Sequence, residues 1–201
     1  MSRAIFLGTF NPPHKGHRDV IEAVVNSDVI VRCGIEKIHI IPTHQNPNKP
    51  KSIPFFNRYK MCQGMFGDIP NVLIDDIENV VKPEYTFDLL KRFNRNEDEM
   101  IKNGFWWIIT YETLEELIDQ EWYKSATILC ENNFIVVVQN DSQIKIVKDY
   151  VNIKSHIVKL QNFHPLHSTQ IREKVKNGED VTAYTNEAVN DHIVRNHLYQ
   201  I

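Results

Sequence analysis

The stretch Gly8-Thr9-Phe10-Asn11-Pro12-Pro13-His14-Lys15-Gly16-His17 sets two imidazoles three residues apart among glycines and prolines. Imidazole N–H groups can follow negative charge as it develops on an oxygen, and Gly8 lets the backbone come close to a ligand. The stretch sits between an apolar run, Arg3 to Leu7, and a segment with apolar residues at helical spacing, Val20, Ile21, Val24 and Val25. A helix opening near His17 offers unpaired amides and a partial positive charge, which suit a phosphate. An isolated His-x-x-His is more often a helix cap or a metal pair. A second cluster, His167-Ser168-Thr169-Gln170-Ile171-Arg172, puts two hydroxyls at a helix start and a guanidinium on the same face. Such a group can grip phosphates, although Ser168 taken alone reads as a plain N-cap.

The elements that must position these groups alternate. Arg3 to Leu7 reads as a buried strand that stops at Gly8, followed by a helix over His17 to Val31. Lys37 to Ile41 is a second strand ended by Pro42, and Phe55 to Phe66 a helix after the polar loop Thr43 to Pro54, which is long enough to be functional. Strands are expected at Val72 to Ile77, Phe105 to Ile109, Phe134 to Val138 and His156 to Leu160, and helices from Thr86, over Thr169 to Lys176 and over Glu187 to Asn196. Asn94 to Asn103 is polar and reads as a solvated helix end or surface loop. The rhythm implies an α/β fold, a Rossmann-like, doubly wound, mostly parallel sheet with helices on both faces. In such sheets ligands bind at the carboxyl ends of the strands, which is where the first histidine stretch falls.

The 201 residues suit one domain over 1–201, and 42% hydrophobic with 24% charged residues is an ordinary globular mixture. A net charge of -3 makes no general polyphosphate-attracting field, so an anion site must be local. No apolar run is long enough for a signal peptide or membrane span, which gives a cytoplasmic expectation. Cys33, Cys62 and Cys130 are widely spaced and read as reduced structural thiols.

The first stretch resembles the His-x-Gly-His signature of a nucleotidyltransferase superfamily, with its Gly-Thr-Phe-x-Pro opening, and the second resembles that superfamily's Ser-Ser/Thr-x-x-x-Arg motif. Nearly the whole chain, to Asn196-His197-Leu198-Tyr199, is similar to bacterial-type nicotinate or nicotinamide mononucleotide adenylyltransferases. The resemblance implies ATP-binding roles for Gly8, Thr9, Phe10, Gly16, Ser168, Thr169 and Arg172, and catalytic roles for His14 and His17. Ile41-Pro42-Thr43, Glu84-Tyr85-Thr86 and Trp122-Tyr123 look like the segments around the pyridine mononucleotide, so Thr43, Tyr85, Thr86, Trp122 and Tyr123 are expected there. Trp122 alone would read as a core residue.

The chain departs from the pattern in several places. Leu7 stands where glycine is frequent and Asn11 where Asp is. Ile109-Thr110-Tyr111-Glu112 replaces a Gly-x-Asp segment, with Glu112 keeping the charge one methylene further out, and Gln139-Asn140-Asp141 lacks the usual Arg-Pro-Gly. The resemblance implies transfer of an adenylyl group from ATP to nicotinate mononucleotide, yielding deamido-NAD and pyrophosphate, with Mg²⁺ carried mainly by the ATP phosphates and no protein metal site. Partners are ATP and a pyridine mononucleotide, without nucleic acid or membrane, and assembly into a homo-oligomer is left open. The alternatives are the nicotinamide acceptor, another superfamily member such as a phosphopantetheine adenylyltransferase, and a nucleotide-binding sensor. Retention of His14, His17 and Arg172 argues against the sensor, and Trp122-Tyr123 against the other superfamily members.

Overall fold

A computed structural model describes residues 2–45, 52–95, 104–150, 153–161, 164 and 167–200. Six strands form one sheet: β1 (Ser2–Gly8), β2 (Ile35–Pro42), β3 (Val72–Ile74), β4 (Phe105–Thr110), β5 (Phe134–Val138) and β6 (Ser155–Lys159). They lie in the order β3-β2-β1-β4-β5-β6, and every pairing is parallel. The helices are α1 (Lys15–Val25), α2 (Val29–Arg32), α3 (Phe55–Phe66), α4 (Ile77–Val81), α5 (Thr86–Asn94), α6 (Tyr111–Ile118), α7 (Ser125–Glu131), α8 (Asp141–Asp149), α9 (Ser168–Lys176) and α10 (Glu187–Arg195).

Continuous apolar runs become central strands because both sheet faces are covered. On β1, Ala4 and Phe6 join the core that includes Val20, Ile21 and Val24 of α1 and Met61 of α3, while Ile5 faces Leu89 and Leu114 on the other side. On β5, Ile135 and Val137 take the first face and Phe134, Val136 and Val138 the second. The strand order turns outward in both directions from β1 and β4, so the crevice at their carboxyl ends is the switch point where such sheets hold ligands. Gly8 pairs with Pro42, and the Thr43 amide donates to the Gly8 carbonyl at 2.9 Å, so the first two strands end level.

Two element boundaries differ from expectation by more than two residues. The helix expected over His17 to Val31 is two: α1 stops at Val25 and α2 begins at Val29. Asn26-Ser27-Asp28 intervenes, and the Ser27 hydroxyl donates back to the Val24 carbonyl at 2.8 Å, the local competition that ends helices. The strand expected to reach Ile77 ends at Ile74, because the Asp75 carboxylate accepts from the Ile77 amide at 2.9 Å and turns the chain into α4. The parts of the Thr43 to Pro54 and Asn94 to Asn103 segments at 46–51 and 96–103 lie outside the described residues. No helix among the described residues is long and apolar enough to cross a membrane.

Candidate active site

The turn from β1 to α1 is built on close approaches. A Cβ on Gly8 would stand 2.8 Å from the Phe10 ring, and one on Gly16 would meet the His164 carbonyl at 2.8 Å and His14 Nδ1 at 3.1 Å. Phe10 holds a left-handed backbone, φ 48°, which costs a non-glycine residue about 1 kcal/mol or more. Burial of its ring against Phe6, Phe66 and His17 offsets that cost.

His14 is the extended N-cap of α1, and its ring lies over that of His17 with centroids 3.7 Å apart. The His14 backbone amide donates to His17 Nδ1 at 3.2 Å. That bond requires a lone pair on Nδ1, so neutral His17 carries its proton on Nε2. His14 is buried, and burial, helped by the charge of His167, pushes its pKa down to about 4. At neutral pH it therefore works as a neutral imidazole.

The second cluster is fastened to this turn from the far end of the chain. The Ser168 hydroxyl donates to the Pro12 carbonyl at 2.9 Å, and Arg172 donates to the Asn11 carbonyl at 2.9 Å and to Thr169 Oγ1 at 3.0 Å. The Tyr199 hydroxyl donates to Asn11 Oδ1 at 2.9 Å, which accounts for the asparagine here: an uncharged oxygen suffices to accept from a buried phenol. A cavity of about 860 Å³ opens between the two clusters, and it is lined by Thr9, Phe10, His14, Gly16, His17, Glu112, Ser168, Thr169 and Arg172 among the expected residues. Among the described residues Arg172 is the only arginine or lysine on this wall, for Lys15 turns its ammonium to the Ala183 carbonyl at 2.7 Å.

Gly8, Thr43, Tyr85, Thr86, Trp122 and Tyr123 do not line this cavity. Gly8 sits at the strand end beneath it, paired with Pro42 and packed against the Phe10 ring. Tyr85 and Tyr123 come together separately, stacked with centroids 4.5 Å apart at the start of α5 and the α6–α7 connection. Trp122 is half-buried, 6.0 Å from Trp107, and its indole N–H donates to Glu116 at 2.8 Å. The substituted Glu112 lies on the same wall as the histidines and accepts from Gln139 Nε2 at 2.9 Å. Asn11, Ser52, Thr110, Gln139 and His167 also line the cavity. Gln139 could have been found from its place just past β5, at the carboxyl end where ligands bind.

A parallel sheet with an imidazole pair, a helix start and a fixed guanidinium at its switch point defines a nucleotide-binding α/β class. A profile of the cytidylyltransferase-like family matches residues 5–174. A probable nicotinate-nucleotide adenylyltransferase of Fusobacterium nucleatum subsp. nucleatum is 32% identical over 206 residues, covering 98% of this chain and 100% of the relative. One from Clostridium acetobutylicum is 31% identical, covering 98% of each. The fold is also that of the Plasmodium falciparum nicotinic acid mononucleotide adenylyltransferase complexed with NaAD, with TM-score 0.77 at 19% identity over 98% of this chain and 96% of that one. The chain belongs to the cytidylyltransferase-like family and, within it, to the nicotinate-nucleotide adenylyltransferases.

Proposed function

We propose that this chain transfers the adenylyl group of ATP to nicotinate mononucleotide, giving deamido-NAD and pyrophosphate. The observation that carries the reading is that the two phosphate-gripping clusters, from opposite ends of the chain, line one cavity beside the switch point. A 5′-phosphate oxygen of the mononucleotide attacks the α-phosphorus of ATP and forms the new P–O bond. The bond from that phosphorus to the α–β bridging oxygen breaks, and pyrophosphate leaves with the electron pair. No covalent enzyme intermediate is required, and catalysis is positioning plus charge stabilisation.

His14 and His17 donate to oxygens that gain charge in the transition state, and His17 does so through Nε2. Ser168, Thr169 and Arg172 hold the triphosphate, with Thr9, Phe10 and the Gly16 backbone completing its bed and Gly8 supporting the turn beneath. Thr43, Tyr85, Thr86, Trp122 and Tyr123, which lie outside this cavity, are assigned to the pyridine mononucleotide by the resemblance alone, and Glu112, on the cavity wall, to its ribose.

Among the described residues no three His, Cys, Asp or Glu side chains form a metal-holding group, and the one carboxylate on the cavity wall, Glu112, is engaged by Gln139. This donor set fits a Mg²⁺ ligated by phosphates and water. When bound, that ion neutralises part of the triphosphate charge. The test is pyrophosphate release from ATP with nicotinate mononucleotide, nicotinamide mononucleotide, phosphopantetheine and glycerol phosphate as acceptors. Release with nicotinate mononucleotide supports the reading, and release only with another acceptor overturns it.

A further inference from the structure

A triphosphate carries several negative charges into a cavity on whose wall, among the described residues, Arg172 is the single permanent cation. Two of that guanidinium's nitrogens already donate to Asn11 and Thr169. His14 is buried and held neutral, so it adds dipole but not charge. Besides His17, whose Nδ1 accepts from the His14 amide, one more basic side chain among the described residues stands on the same wall: His167, the extended N-cap residue of α9. It is exposed, unlike His14, and its place is fixed through its own helix. Its backbone amide donates to Gln170 Oε1 at 3.2 Å, and the next residue, Ser168, is hydrogen-bonded to Pro12 in the histidine turn. His167 is also near enough to His14 for its charge to disfavour protonation there.

We propose that His167 is a third imidazole of the phosphate site, protonated when the triphosphate is bound and donating a charge-assisted hydrogen bond to its oxygens. The inference rests on the adenylyl-transfer reading for the identity of the ligand. The titratable and charged groups that share this wall with His167 among the described residues are His14 and His17 from the turn and α1, Arg172 from its own helix, and Glu112 from α6. Imidazoles change charge between pH 5 and 8, and a phosphate held against one favours its charged form. Affinity for the triphosphate should therefore contain a component that fades as pH rises. A helix-capping residue with no ligand contact would show no such component.

The experiment is calorimetric titration of the purified full chain with ATP and Mg²⁺ at pH 6 and pH 8, for the parent, His167→Ala and His167→Lys. The γ-phosphate of ATP titrates in the same range, but it cancels when variant and parent are compared at one pH. His167→Ala should bind about tenfold more weakly than the parent at pH 6, a typical loss for a hydrogen bond to a charged group, with the gap shrinking at pH 8. His167→Lys, charged throughout, should bind at least as tightly as the parent at pH 8. Equal affinities for His167→Ala and the parent at both pH values, or a deficit identical at both that lysine does not rescue, would overturn the proposal. ATP binding without pyrophosphate release to any acceptor would sink the transfer reading and leave His167 standing. A parent that binds no ATP would remove both.

Discussion

Of the two imidazoles at the start of α1, His14 is buried and His17 is oriented by the His14 amide. Their contributions should separate accordingly. His17→Ala is expected to lower kcat by about 10² to 10³ with little change in ATP affinity, because a donor aimed at developing charge acts mainly in the transition state. Pyrophosphate-release kinetics with calorimetric ATP binding checks this, and an equal loss in both would recast His17 as a ground-state contact. The pair was legible in the sequence because its members share one short contiguous stretch with two glycines, whose tight environments the structure explains. Gln139 and Asn11 were less legible as cavity residues. Their place depends on where strand ends meet in space, and an amide side chain carries no chemical signature of its own.

At the scale of elements, α3 does more than cover the sheet. Arg58 is almost fully buried, and its guanidinium donates to the carbonyls of Ile53 at 3.0 Å, Thr9 at 2.8 Å and His44 at 2.9 Å. It thereby ties the histidine turn to both flanks of the segment between β2 and α3. Burial presses its pKa downward, and the three carbonyls keep the charge tolerable. Arg58→Lys retains a charge but loses the planar fork, so it should destabilise the fold by about 3 kcal/mol and lower turnover through displacement of Thr9. Urea unfolding and kcat measured together test this, and an unchanged midpoint would show the clamp to be dispensable. The bounds of α3 and β5 were readable from the sequence, since a helical apolar stripe and an unbroken β-branched run leave little choice. The arginine clamp was not readable, because a charged residue on an amphipathic helix normally faces water.

Over the whole molecule, α/β alternation pointed to a parallel sheet, but strand order had to come from the structure: a βαβ rhythm is the same whichever edge the chain extends. The same scale governs pH-dependent stability. His14 has its pKa lowered from 6.5 to about 4, so its contribution is present above 6.5 and is lost as pH falls through 4. Glu78, buried against the His44 amide, has its pKa raised from 4.5 to about 7 mainly by burial, so its contribution is present below 4.5 and is lost as pH rises through 7. The two slopes oppose each other from about pH 4.5 to 6.5. Glu78→Gln should therefore gain stability between pH 5 and 7 relative to the parent, and His14→Ala should lose it. Urea midpoints at the two pH values decide, and parallel behaviour of both variants and the parent would contradict the assignment.

The central claim concerns the acceptor. A nicotinate carboxylate presents two acceptors and a negative charge, whereas a carboxamide turns NH₂ donors toward whatever donors line its pocket. Tyr85 is the extended N-cap of α5, so backbone amides of the first turn stand beside the residues assigned to the ring. A helix start favours an anion, and a mismatched amide in a desolvated pocket leaves polar groups unpaired. Trp122 and Tyr123 would support either ring without choosing between them. The most direct test is kcat/KM with saturating ATP for nicotinate mononucleotide and nicotinamide mononucleotide, with the dinucleotide product identified. The account predicts deamido-NAD formation with at least about tenfold higher efficiency for the nicotinate form, and equal efficiencies or a preference for the amide would contradict it.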